Sequence, residues 1–99
     1  MATGYILKQI KLENPDRRIF VVMNADMNGI YDNVENDKLL FLHELMRRYC
    51  AELDIEFLDL SDPMRKAFQM NEKKFNSEFD AHWNNYGHDF VYQQIVKLL

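Results

Sequence analysis

The chain has 99 residues, of which 47% are hydrophobic and 13% aromatic, and it carries a formal net charge of −4. This length suits one domain with a modest core, and the composition excludes an intrinsically disordered chain. The negative charge argues against binding to nucleic acid or to an anionic membrane, because both attract basic patches. No apolar run reaches the roughly 18 residues that a membrane-spanning helix needs. We therefore expect residues 1–99 to form a single domain.

The first quarter of the chain predicts a helix followed by a buried strand. Ile6, Leu7 and Ile10 share one helical face, although an alternating apolar pattern leaves a strand as the alternative. Pro15 ends this pattern. A continuous apolar run from Ile19 to Met23 follows. Because the run is short, β-branched and flanked by turn formers, it predicts a strand buried on both faces.

The middle of the chain predicts a polar connection, the clearest helix and a second strand. Asn28-Gly29 is a turn signal in the polar segment. Asn36 or Asp37 can cap the helix that follows. Its apolar residues recur at the spacing of one helical face, and they are Leu42, Leu45, Met46, Tyr49, Cys50 and Leu53. We expect the single cysteine to be a small buried hydrophobe and His43 to lie at the surface. The run from Ile55 to Leu60 predicts the second strand.

The last forty residues predict two helices separated by an irregular segment. Ser61 or Asp62 is expected to cap the first of them, with Pro63 in its first turn. The final segment, YGHDFVYQQIVKLL, predicts an amphipathic helix. Its inward residues are expected to be Phe90, Val91, Ile95 and Leu98.

The order of these elements is α-β-α-β-α-α, which predicts an α/β fold. A strand, a helix and a strand at this spacing predict a right-handed crossover between parallel strands. The first strand has the hydrophobicity of a central strand, yet the sequence supplies it with only one convincing partner. Its other edge is therefore expected to pair with the N-terminal segment or with another chain.

The segment before the final helix contains Asp80 and His82, which are candidate catalytic residues. An Asp and a His two positions apart at a turn can face the same way. If the carboxylate accepts the Nδ1–H of the ring, it fixes the tautomer and leaves Nε2 free as a base. Two other interpretations are a polar connection without chemistry and a metal site that adds His88.

The sequence FDAHWNNYGHDFVYQQIVKLL resembles the C-terminal block of the SGNH (GDSL-type) hydrolases. In that family a catalytic Asp and His stand just before the last helix, often in a pattern such as D-x-H-W-N-x-x-G-H. The matching positions are Asp80, His82, Trp83, Asn84, Gly87 and His88. From about Ile6 to Leu99 the remainder matches the order of elements in the family rather than a motif. Many members separate the Asp and His by two residues, whereas this sequence separates them by one.

This resemblance implies a three-layer, flavodoxin-like α/β fold with a parallel sheet, of which the chain holds the C-terminal βαβ half and flanking helices. The implied activity is hydrolysis of an ester, or O-acyl transfer, by a Ser-His-Asp triad without cofactor or metal. The nucleophile and oxyanion-hole blocks of the family have no counterpart here. Ser61 and Ser77 lie outside such motifs. We therefore expect the chain to be inactive alone and to need the N-terminal half of the domain or a second copy. The alternative is a non-catalytic module that completes its sheet with a partner.

Overall fold

A computed structural model describes residues 2–99, with the backbone alone for residues 2 and 3. Within this range the elements, in chain order, are α1 (Ala2–Glu13), β1 (Phe20–Met23), α2 (Met27–Asp32), α3 (Asp37–Glu52), β2 (Glu56–Asp59), α4 (Ser61–Asn71) and α5 (Asn85–Val96). The expected mixed α/β class is confirmed. The chain divides into two compact units. The sheet unit comprises α1, β1, α3 and β2, and the helical unit comprises α2, α4, α5 and the segment between α4 and α5.

The sheet unit is built on a parallel pair of strands, as predicted. The register runs from Phe20 opposite Glu56 to Met23 opposite Asp59. Within residues 2–99 the sheet consists of β1 and β2, so the second edge of β1 has no strand beside it. The segment that could have been a strand at this edge forms α1 instead, and α1 contacts α3.

The core of the sheet unit lies between α1, α3 and the strands. Leu7, Cys50 and Ile55 are its buried centre. Partly buried apolar side chains packed against this centre are Ile19, Val21, Met46, Tyr49, Leu53 and Phe57. The predicted apolar face of α3 is therefore confirmed in its C-terminal half, whereas Leu42 is 36% exposed. Asn36 caps α3 as expected, because its side-chain oxygen accepts the backbone N–H groups of Lys38 and Leu39.

The prediction of a plain turn at Asn28-Gly29 is wrong, because these residues lie inside α2. The side chain of Asp26 accepts the backbone N–H of Gly29 and so caps the helix. Asn33, with φ of 54°, ends it in the left-handed region. A Cβ on Gly29 would lie 2.5 Å from the Asp26 carboxylate, so this tight cap requires glycine. Asp, Asn and Gly favour turns and helix ends alike, which is why the sequence was misread.

The prediction that Ser61 or Asp62 caps α4 is also wrong. The cap position is Leu60, which makes no side-chain capping bond, and Ser61 is the first helical residue. Pro63 lies in the first turn, as expected. A helix can begin without a polar cap when its N-terminal N–H groups find other partners or water.

Aromatic side chains form much of the core of the helical unit. Phe75 is fully buried, with its ring 5.0 Å from that of Phe90 and 5.4 Å from that of Tyr86. Tyr31 on α2 packs against Phe68 on α4 at 4.9 Å between ring centroids. On α5 Val91 is buried, and Phe90 and Ile95 are partly buried. Leu98, also predicted to face inward, is partly buried but lies beyond the end of the helix. In the part of the chain that the structure describes, no helix has the length and apolar character needed to cross a bilayer.

Candidate functional site

A short hairpin ahead of α5 carries both predicted catalytic residues. Asn76 and Trp83 form an antiparallel bridge, and the backbone N–H of Ser77 donates to the carbonyl of His82 at 2.8 Å. Local side-chain bonds then fix the loop that they enclose. The Ser77 hydroxyl accepts the N–H of Phe79, and the amide of Asn76 donates to the carbonyl of Asp80. The position of this loop is therefore determined by its own polar residues.

Asp80 and His82 are brought together on this hairpin. Their side chains approach to 3.3 Å between Asp80 Oδ1 and His82 Nδ1. The same carboxylate oxygen accepts the backbone N–H of His82 at 2.9 Å. The pair faces solvent, since the side chains are 54% and 89% exposed. The carboxylate thus approaches the imidazole at Nδ1, and the exposure of both side chains limits the strength of this contact.

Asn84 ties the hairpin to the start of α5. Its side-chain oxygen caps the helix by accepting the N–H of Gly87 at 2.7 Å. Its side-chain nitrogen donates to the carbonyls of Lys74 and Asn76 at 3.0 and 3.1 Å. The whole amide is therefore used to hold the segment after α4 against the first turn of α5.

Gly87 permits the close approach that this arrangement needs. A Cβ at this position would lie 2.0 Å from the carbonyl oxygen of Phe75, which no side chain tolerates. Asn84 and Gly87, two of the positions that match the resemblance, thus have direct structural roles in placing the segment that carries Asp80 and His82.

Trp83 and His88 form the other support of the hairpin. The indole N–H of Trp83 donates to the side-chain oxygen of Asn24, directly after β1 in sequence, at 3.2 Å. The ring of His88 meets that of Trp83 edge-on, with 5.6 Å between centroids. His88 therefore packs at the start of the final helix. Among residues 2–99, no group of three His, Cys, Asp or Glu side chains is arranged to hold a metal ion.

A cavity of about 530 Å³ lies beside the hairpin in the helical unit. Its lining residues come from α2, from the segment after α4 and from the start of α5, and they are Asn28, Tyr31, Lys73, Lys74, Asn76, Ser77, Glu78, Asn84 and Tyr86. Asp80 and His82 do not belong to this lining. The catalytic candidates and the cavity therefore share one supporting segment but are separate features.

The sheet unit contains a second, better packed Asp–His pair that the sequence did not reveal. Nδ1 of His43 lies 2.8 Å from Oδ2 of Asp59, and the two side chains are only 12% and 14% exposed. Arg47 also contacts this carboxylate, at 3.4 Å. The expectation of a surface position for His43 is therefore wrong. One signal was available, because Asp59 lies at the carboxyl end of a parallel strand, where polar side chains of α/β folds gather.

The remaining nucleophilic side chains have structural surroundings. Cys50 is fully buried, and desolvation raises the pKa of its thiol, which confirms the expectation of a small buried hydrophobe. Ser77 uses its hydroxyl to stabilise the hairpin loop, and Ser61 begins α4.

Comparison of the chain with protein-family models, with curated proteins and with solved structures gave no match.

Proposed function

We propose that the chain is the C-terminal part of an SGNH-like ester hydrolase or O-acyltransferase and supplies the Asp80–His82 half of a Ser-His-Asp triad. The observation that carries this proposal is the 3.3 Å approach of Asp80 Oδ1 to His82 Nδ1 on a hairpin fixed by its own hydrogen bonds. The parallel β1–β2 pair and the structural uses of Asn84 and Gly87 also support it.

The proposed chemistry assigns one role to each residue. Asp80 accepts the Nδ1–H of His82 and holds the ring in one tautomer. Nε2 of His82 takes the proton of a serine hydroxyl as that oxygen attacks the ester carbonyl. The imidazolium then returns the proton to the departing alkoxide as the carbon–oxygen bond of the ester breaks. A water or a hydroxyl acceptor, deprotonated by the same nitrogen, releases the acyl group from the serine.

Residues 1–99 contain no G-D-S-type block, so the proposal requires the serine and the oxyanion hole from another polypeptide segment. The experiment begins with the coding sequence immediately upstream of Met1. A G-D-S-type block there, in frame or in an adjacent gene, is the expected finding, and its absence contradicts the proposal. Co-expression of the two segments then allows hydrolysis of p-nitrophenyl acetate to be measured.

The co-expressed protein separates the proposed base from a nearby control. We expect His82→Gln to lower kcat/KM by about 10³-fold or more, in line with the loss of a triad member. His88→Gln replaces a histidine of α5 that packs against Trp83, and it should retain most of the activity. Equal activity of His82→Gln and the unmodified protein would contradict the proposal. So would labelling of the isolated 99-residue chain by a fluorophosphonate serine probe.

One observation favours the second candidate, a non-catalytic module that completes its sheet with a partner or a second copy. In the described part of the chain, β1 has a strand on one side only, although Phe20–Met23 is apolar throughout. This candidate predicts a stable dimer or complex in analytical ultracentrifugation and no effect of His82→Gln on any function of that complex. A monomer that gains ester hydrolysis with the upstream segment favours the hydrolase instead.

A further inference from the structure

The cavity of the helical unit has two lysine ammonium groups held at its wall by tyrosine rings. Nζ of Lys73 lies 5.6 Å from the ring centroid of Tyr86, and Nζ of Lys74 lies 5.1 Å from that of Tyr31. Both distances are within the range of about 6 Å for cation–π attraction. The rings therefore reduce the freedom of two long side chains before any ligand arrives.

Several neutral polar groups of the cavity already bond to the protein. The hydroxyl of Tyr31 donates to Asn76 Oδ1 at 2.6 Å and accepts the backbone N–H of Phe75 at 2.8 Å. The side-chain nitrogens of Asn76 and Asn84 donate to the backbone carbonyls of Ser77 and Asn76. These bonds fix part of the wall, and the two ammonium groups are the charged donors of the cavity.

The charge of the lining is positive although the chain as a whole is acidic. Lys73 and Lys74 contribute two positive charges and Glu78 contributes one negative charge. Within residues 2–99, neither ammonium lies within ion-pair distance of a carboxylate. Two neighbouring cations without carboxylate partners in a cavity of this size favour a small anion.

We propose that this cavity binds a small phosphate-bearing molecule, with Lys73 and Lys74 neutralising the phosphate. Lysine binds phosphate as a compact point charge. A phosphate group carries close to two negative charges at neutral pH, so it matches two ammonium groups better than a carboxylate does. The inference rests on the cavity alone and does not depend on the ester-hydrolase proposal, so either can fail without the other.

The test is a titration of the 99-residue chain with inorganic phosphate at constant ionic strength, followed by ¹H–¹⁵N NMR. We expect saturable shifts in the backbone amides of residues 73–78 and 84–86, and weaker binding of acetate. Lys73→Gln combined with Lys74→Gln should weaken phosphate binding at least tenfold, because a unit charge at about 4 Å contributes roughly fivefold even at the dielectric constant of water. Glu78→Gln should strengthen binding about twofold to fivefold on the same reasoning.

Two further variants keep the test decisive. Lys66→Gln removes an exposed lysine of α4 outside the cavity and should leave phosphate binding unchanged. Lys73→Arg with Lys74→Arg retains the charge and should retain binding, which provides a comparison if the glutamine variant does not fold. Absence of saturable shifts, equal binding by the double glutamine variant, or acetate binding as tight as phosphate binding would overturn the proposal.

Discussion

Replacement of Asn84 by alanine should destabilise the helical unit more than any other single polar substitution near the site. The substitution removes the cap of α5, which typically contributes about 1 kcal/mol. It also removes two hydrogen bonds to the carbonyls of Lys74 and Asn76, each with a net contribution of about 0.5–1.5 kcal/mol. Because the bond to Lys74 is exposed, we expect the sum to lie near its lower end, at about 2–3 kcal/mol.

Asn84→Asp separates the two contributions. Aspartate accepts the N–H of Gly87 as well as asparagine does, but it cannot donate to either carbonyl. We therefore expect an intermediate loss of about 1–2 kcal/mol for Asn84→Asp. Asn85→Ala, at the next and exposed position, is the matched control and should change the free energy of unfolding by less than about 0.5 kcal/mol.

Urea-induced unfolding followed by far-UV circular dichroism measures these free energies, and thermal unfolding provides a second readout. At about 4–8 °C per kcal/mol for a domain of this size, Asn84→Ala should lower Tm by about 8–24 °C. The reasoning is refuted if Asn84→Ala unfolds with the same free energy as Asn85→Ala. It is also refuted if Asn84→Asp loses as much stability as Asn84→Ala, since the cap would then contribute nothing.

Three further predictions concern other parts of the molecule. Gly87→Ala should lower the free energy of unfolding by at least about 2 kcal/mol, because its Cβ clashes with the Phe75 carbonyl. Gly4→Ala meets only the movable ring of Tyr49 and should be tolerated or slightly stabilising. Similar urea midpoints for the two variants would count against the packing at Gly87. Cys50 should react with iodoacetamide at least about a hundredfold more slowly in the native protein than in urea, because its thiol is buried and the pKa of the thiol is raised. Equal rates would show that the core around Cys50 opens freely. Hydrogen bonding to Arg18 holds the pKa of Glu56 below its ordinary value, so the stabilisation from this pair is present above about pH 4.3 and is lost as the pH falls through the lower, folded-state pKa. The stability difference between Glu56→Gln and the unmodified chain should therefore shrink in acid, and a difference that stays constant with pH would contradict this linkage.

Much of the fold follows from local sequence patterns. The period of α3 and the amphipathic pattern of α5 are sustained over several turns, and the apolar run of β1 is short and β-branched, so each element was predicted with its type and approximate bounds. The parallel pairing of β1 and β2 followed from their spacing. These features depend on neighbours in sequence, which is why the sequence alone suffices for them.

The errors arise where distant contacts or ambiguous residue types decide the structure. Asp26 and Asn33 are turn formers in sequence but serve as the ends of α2. His43 has no local partner, and its pairing with Asp59 depends on the packing of α3 against β2. At the site, the sequence predicted the proximity of Asp80 and His82 from their spacing, but their exposure depends on which surfaces cover the hairpin.

The position of the proton on the His82 ring tests the central claim most directly. Long-range ¹H–¹⁵N NMR of the imidazole nitrogens identifies the tautomer of each histidine at a pH where the rings are neutral. We predict that Nδ1 of His82 carries the proton and that Asp80→Asn shifts the ring toward the Nε2–H tautomer. A ring of His82 that carries its proton on Nε2, with no response to Asp80→Asn, would contradict the account.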